Sequence, residues 1–120
     1  MKELGSGKIV VKNSVFYSYF LEIDSLKEIV EIINELSLKH RKAKHTCYAA
    51  KYFEEEVMKN DSEVGSPGKV LLQELISNKF NKNLLIVYRK FGGTKLGVGN
   101  VSRSFRKAAR EAIKNSSEKQ

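Results

Sequence analysis

The sequence predicts an α+β fold: one mostly antiparallel sheet of about four to five strands with helices packed on one face. Three observations predict it. Runs rich in β-branched and aromatic residues open the chain and recur in its middle. Helical periods interrupt these runs without strict alternation, and a long amphipathic helix follows the last of them. With 120 residues, 41% hydrophobic and 30% charged, the chain suits a single domain with one core, expected over residues 1 to 114.

Residues 8 to 12 ("KIVVK") and 15 to 23 ("VFYSYFLEI") read as two strands joined at Asn13-Ser14. A helix follows from Ser25. Ser25 and Glu28 have capping-box spacing, and Leu26, Ile29, Val30, Ile32, Ile33 and Leu36 recur at helical period. Residues 45 to 53 ("HTCYAAKYF") read as a strand, and Glu54 to Gly65 as an acidic, turn-rich stretch. Ser66 then reads as an N-cap, with Pro67 in the first position of a short helix ending near Ile76. "LLIVY", residues 84 to 88, is apolar without alternation, as a strand covered on both faces would be. The last helix is expected from near Val98 to about Lys114, with a disordered tail over 115 to 120. At 100° per residue, Val101, Phe105, Ala108 and Ala112 share one face of it, and Arg103, Arg106, Lys107, Arg110 and Lys114 form a row on the other.

The net charge of +8 is unevenly distributed. Acidic and basic residues nearly balance up to residue 78, whereas from 79 to 114 Glu111 is the only carboxylate among ten Lys and Arg. Such asymmetry predicts an anionic partner, nucleic acid foremost. The candidate surface is the helical row Arg103, Arg106, Lys107, Arg110 and Lys114 joined by Arg89, Lys90 and Lys95, binding phosphates by charge and not by base readout. On this reading, reversing Arg106 and Arg110 together spares the fold. No apolar run approaches the roughly 18 residues of a membrane span, no secretory signal is visible, and Cys47 is the lone cysteine. A cytoplasmic protein without a membrane partner is expected.

Glycines cluster at Gly92, Gly93, Gly97 and Gly99. Gly92 and Gly97 have Walker-loop spacing, but Val98 stands where the phosphate-binding lysine belongs. The loop allows a tight strand-to-helix return and also exposes N–H groups to an anion, and the two roles are compatible. Ser66, Gly68 and Lys69 form a second helix start of the same character, most simply a structural cap. His45 and Cys47, two apart on a strand, share a face; with His40 they raise a zinc site or an activated thiolate against the simpler reading of a buried thiol beside a hydrogen-bonded histidine. The ligand spacing of a metal site is missing, so neither metal nor cofactor is expected.

Four stretches, in order, resemble the Impact family, whose bacterial members are the YigZ-like proteins. "VKNSVFYSYF" is similar to the family's opening strand pair, "HTCYA" to its His-x-Cys-x-Ala strand, and "DSEVGSPGKVLL" to its acidic turn and helix start. "IVYRKFGGTKLGVGNVSRSF" resembles its diagnostic motif, matched at Arg89, Phe91, Gly92, Gly93, Leu96, Gly97 and Gly99. His45, Cys47, Asp61, Glu63, Gly65 and Gly68 match as well. Lys90 replaces an aromatic residue, Asn100 a glycine and Pro67 an alanine, and the acidic turn is one residue short. The resemblance implies a fold like the second domain of a small-subunit ribosomal protein. Together with the basic segment it predicts a translation-associated, non-enzymatic regulator whose partner is RNA, the ribosome or a ribosome-associated regulatory protein. The alternative is a phosphate-ligand-binding protein or enzyme using the Gly92 to Gly99 loop.

Overall fold

The computed structural model describes residues 1–118. Strands β1 (Lys2–Val11) and β2 (Ser14–Glu22) form a hairpin. Its two-residue turn is Lys12-Asn13, both at positive φ (46° and 69°), as a type I′ connection requires. The turn lies one residue earlier than the sequence suggests, so Ser14 becomes the buried first residue of β2. A 3-10 turn, Leu26–Glu28, leads into α1 (Ile29–Ser37). The expected capping box is present: Ser25 Oγ accepts from the Lys27 N–H at 3.1 Å, and the Glu28 carboxylate accepts from the Ser25 N–H at 3.0 Å.

Strands β3 (His45–Tyr52) and β4 (Glu55–Lys59) form a second hairpin. β4 occupies what reads in sequence as an acidic turn. Every one of its residues is exposed and it pairs only with β3, so it is a charged edge strand with no apolar face to reveal it. Then come α2 (Pro67–Ser77), β5 (Asn83–Lys90) and α3 (Val98–Glu118). The sheet order is β1-β2-β5-β3-β4, with every neighbouring pair antiparallel. The α+β class stands as expected.

Alternation along β5 sorts the core into two layers. Leu85 and Val87 join Phe16, Phe20, Cys47, Leu71 and Phe105 under α2 and α3. Leu84, Ile86 and Tyr88 point the other way and pack beneath Ile29, Ile32 and Leu36 of α1. Helices therefore cover both faces, not one. Amphipathicity says that α1 buries a stripe; it does not say on which side of the sheet.

α3 lies close along β1 because β1 presents no side chain there at two positions. A Cβ on Gly5 would stand 2.2 Å from the Ala112 carbonyl oxygen, and one on Gly7 would stand 2.8 Å from Glu111 Cγ. The helix continues past Lys114, where Asn115 Nδ2 donates to the Ser6 carbonyl at 2.6 Å. Lys119 and Gln120, the end of the expected tail, lie outside the described residues. Among the described residues no helix is long and apolar enough to cross a membrane.

On the α1 face His40 stacks on Tyr88, centroids 4.6 Å apart, and shares a hydrogen bond with the Tyr19 hydroxyl through Nε2. It is thus across the sheet from Cys47 and cannot join it in a site. Burial, with Lys39 adding to it, holds the His40 imidazole below its ordinary value. The unfolded chain therefore takes up the proton first. Stability is retained above the unfolded value of about 6.5 and lost as pH falls from there toward the lower folded value. The urea midpoint is expected to drop between about pH 7 and pH 5, and less so in His40→Phe, which keeps the stack without the titration.

Candidate functional site

One end of the sheet carries a buried polar cluster. β3 and β5 set His45 and Arg89 opposite each other as Cα partners, both on the α3 side. The connection from β4 to α2 folds over them. Asp61, Ser62 and Ser66 in it have positive φ (52°, 60° and 49°), a conformation that costs of order 1 kcal/mol or more for a non-glycine residue and must be held by its surroundings. Hydrogen bonds hold it. The Asp61 carboxylate accepts from the Thr46 N–H at 2.7 Å, and the Asp61 carbonyl accepts from His45 Nδ1 at 2.9 Å. Asn60 accepts from the Cys47 thiol through its carbonyl at 3.1 Å and from the Gly68 N–H through Oδ1 at 2.8 Å. A carbonyl only accepts, so His45 Nδ1 bears a proton, and Nε2 lies 3.6 Å from Glu63 Oε2.

Glu63 and Arg89 form the centre. Arg89 Nη1 donates to Glu63 Oε2 at 2.8 Å, and the two side chains are only 6% and 4% exposed. The guanidinium lies over the rings of Phe16 and Phe91, at 5.5 and 5.8 Å. Nη2 reaches Ser14 Oγ at 3.4 Å, and the same oxygen accepts from the Gly92 N–H at 3.3 Å. Arg89 Nε is buried without a hydrogen-bond partner. A pair so desolvated contributes little net stability; it fixes where these groups stand.

The pair floors a cavity of about 450 Å³ that is also lined by Lys44, His45, Lys95 and Gly97. The four loop glycines have separate tasks. Gly92 packs on the Asn13 backbone, where a Cβ would come within 2.2 Å, while Gly93 and Gly97 adopt φ of 88° and 80° in open space. Gly97 accepts the first helical bond of α3, from the Val101 N–H at 3.0 Å, and Gly99 lies in the first turn.

The cations that sequence groups into one surface divide into three. Arg89 and Lys95 belong to the cavity. Lys90 is exposed on the opposite side of the sheet, beside Lys39, His40 and Lys42. Arg103, Arg106, Lys107, Arg110 and Lys114 line the outer face of α3, with Arg106 partly covered and the others exposed. Among these, Arg110 is committed: its Nε donates at 2.7 Å to Glu74, whose side chain is 7% exposed. Reversing Arg110 would set a second carboxylate against the buried one of Glu74, so it is not the neutral surface change expected from sequence. Ser66 is left-handed and makes no side-chain cap; Asn60 caps α2 instead. Ser66, Gly68 and Lys69 lie outside the cavity lining, and Lys69 is exposed.

Cys47 has no accessible surface, and burial followed by the nearby Glu63 and Asp61 charges pushes its thiol well above the ordinary value. A neutral thiol is a poor nucleophile. Native chain is expected to resist alkylation at about pH 8, and to react at the rate of a free thiol once unfolded. Mass spectrometry of iodoacetamide-treated protein checks this. Among the described residues no three His, Cys, Asp or Glu side chains gather as metal ligands.

Residues 12–113 match the sequence model of the Impact N-terminal domain. The chain belongs to the Impact N-terminal domain family. This Impact chain is 28% identical over 117 residues to the IMPACT family member YvyE of Bacillus subtilis (strain 168), covering 94% of this chain and 54% of that protein. An IMPACT family member of Haemophilus influenzae is 26% identical over 110 residues, covering 87% and 53%. The chain thus spans about half the length of the curated relatives it matches. In structure it is similar to a crystal structure of a hypothetical protein, with a TM-score of 0.86 at 21% identity, over 92% of this chain and 56% of that one. It is also similar to the two-domain translational regulator Yih1, with a TM-score of 0.54 at 21% identity, over 95% and 46%.

Stretches of the Impact chain far apart in sequence converge on this one end of the sheet. His45, Glu63, Arg89, Phe91, Leu96 and Gly97 all line the cavity. Ser14, Asn60 and Lys44 complete the cluster but carry no sequence signal of it. Ser14 and Asn60 are small polar residues at turns, and Lys44 is one of many lysines.

Proposed function

We propose that this chain takes part in the regulation of translation and that it does so by binding RNA, on the ribosome or free, through the outer face of α3. The observation that carries the reading is the row Arg103, Arg106, Lys107 and Lys114. None of the four joins an ion pair among the described residues. A row of cations without carboxylate partners among the described residues keeps its charge for phosphates, and its attraction to them is independent of sequence. Family membership and the fold shared with a translational regulator support the setting.

A pull-down of tagged chain from a cell extract, with and without nuclease, tests the partner class. Ribosomal RNA and ribosomal proteins are expected to be retained without nuclease and released by it. Retention of one protein after complete digestion would replace RNA by a ribosome-associated factor as the primary partner.

A further inference from the structure

The cavity at the end of the sheet is apart from the α3 row and is built differently. Its charged groups are Lys44, Lys95, Arg89, Glu63 and His45. The Glu63 carboxylate is held by Arg89, so the two lysines leave the cavity positive even with His45 neutral. Both lysines are exposed and neither joins an ion pair among the described residues. The start of α3, Gly97 and Val98, lines the same cavity. Val98, Gly99 and Asn100 precede the first helical bond, from Val101 to Gly97, so the N–H groups of this first turn have no intrahelical acceptor. The helix dipole adds its positive end there.

The Nε of Arg89, in the floor, is buried without a hydrogen-bond partner and has no surface for a ligand to meet. The mouth gives the second observation. Val64, Phe91 and Val98 line it and remain 49%, 37% and 59% exposed, with Leu96 and Val101 buried behind them. An apolar lip around a few convergent polar groups, enclosing about 450 Å³, has the size and make-up of a small-molecule site.

We propose that this cavity binds a small organic anion: a carboxylate or phosphate monoester held by Lys44, Lys95 and the first turn of α3, on an apolar or aromatic body that covers Val64, Phe91 and Val98. The two parts of the ligand are needed together. The anionic end alone has only exposed lysines and backbone donors to meet, and the apolar body alone gains nothing from the charge.

The test is a titration of the full, nitrogen-15-labelled chain with four probes: phenyl phosphate, 3-phenylpropionate, inorganic phosphate and benzyl alcohol. At least one aromatic anion is expected to move the amides of Gly97, Val98 and Gly99 saturably at millimolar concentrations. Inorganic phosphate and benzyl alcohol are expected to bind about tenfold or more weakly, a difference of about 1.4 kcal/mol. Saturation by phenyl phosphate alone identifies a phosphate ester, and by phenylpropionate alone a carboxylate. Lys44→Glu with Lys95→Glu changes exposed residues only, keeps the fold, and is expected to weaken the bound anion by about tenfold or more. Arg106→Glu with Lys107→Glu is expected to leave it unchanged, which separates this site from the RNA reading. The proposal is overturned if neither aromatic anion saturates those amides, if inorganic phosphate binds as well as the aromatic anions, or if the Lys44 and Lys95 reversal binds like the parent.

Discussion

Replacing Arg89 with methionine is expected to destabilise the chain by about 3 to 5 kcal/mol, because it leaves the Glu63 carboxylate buried without its partner. The argument rests on desolvation. With exposures of 6% and 4%, neither charge can turn to water when the other is removed. The groups left on Glu63, the Val64 N–H at 3.0 Å and His45 Nε2 at 3.6 Å, do not replace a guanidinium donating at 2.8 Å. Glu63→Met is expected to be costly for the same reason in reverse. The double variant, Arg89→Met with Glu63→Met, removes both charges and is expected to cost less than the sum of the two single changes. Urea unfolding of the four proteins gives the cycle. Single changes costing less than about 1 kcal/mol would mean that the pair is hydrated in solution.

Phe105→Ala is expected to cost about 3 to 5 kcal/mol, a large part of the total for a domain of this size. The ring has no exposed surface and meets Phe16 edge to face, with centroids 5.2 Å apart. Phe16 in turn lies beneath the Arg89 guanidinium, so the vacancy opens directly under the candidate site. Phe105→Leu is expected to lose less than half as much, since a branched side chain refills most of the volume. Thermal unfolding followed by circular dichroism distinguishes the two variants, and equal losses would place the cost in the helix and not in the core.

The elements legible in the sequence are those with a strong local pattern. "LLIVY" became the central strand, buried on both faces. The period in Val101, Phe105, Ala108 and Ala112 became the buried face of α3. What the sequence conceals is set by partners distant in the chain. β4 is a strand because β3 lies beside it, although "EEVMK" has no buried side. Ser66-Pro67 begins a helix as expected, but Asn60 reaches across to cap it. The same holds for the site. Arg89 and Arg110 read as free cations until the fold places Glu63, 26 residues away, and Glu74, 36 residues away, against them. Charge counting finds the excess; topology decides which charges remain available.

The central claim is the proposal that the α3 row, without ion pairs among the described residues apart from Arg110, holds RNA by charge. Fluorescence anisotropy of a labelled single-stranded RNA, measured against rising salt for the parent and for Arg106→Glu with Lys107→Glu, tests it most directly. Circular dichroism is expected to be the same for both, since exposed or partly covered residues away from ion pairs change stability by only about ±0.5 kcal/mol each. For the parent, log affinity is expected to fall linearly with log salt, by about 0.7 for each phosphate contacted, and the variant is expected to bind more weakly with a shallower slope. A variant that binds with the parent's affinity and the parent's slope would contradict the account and leave the row a solvated helix face.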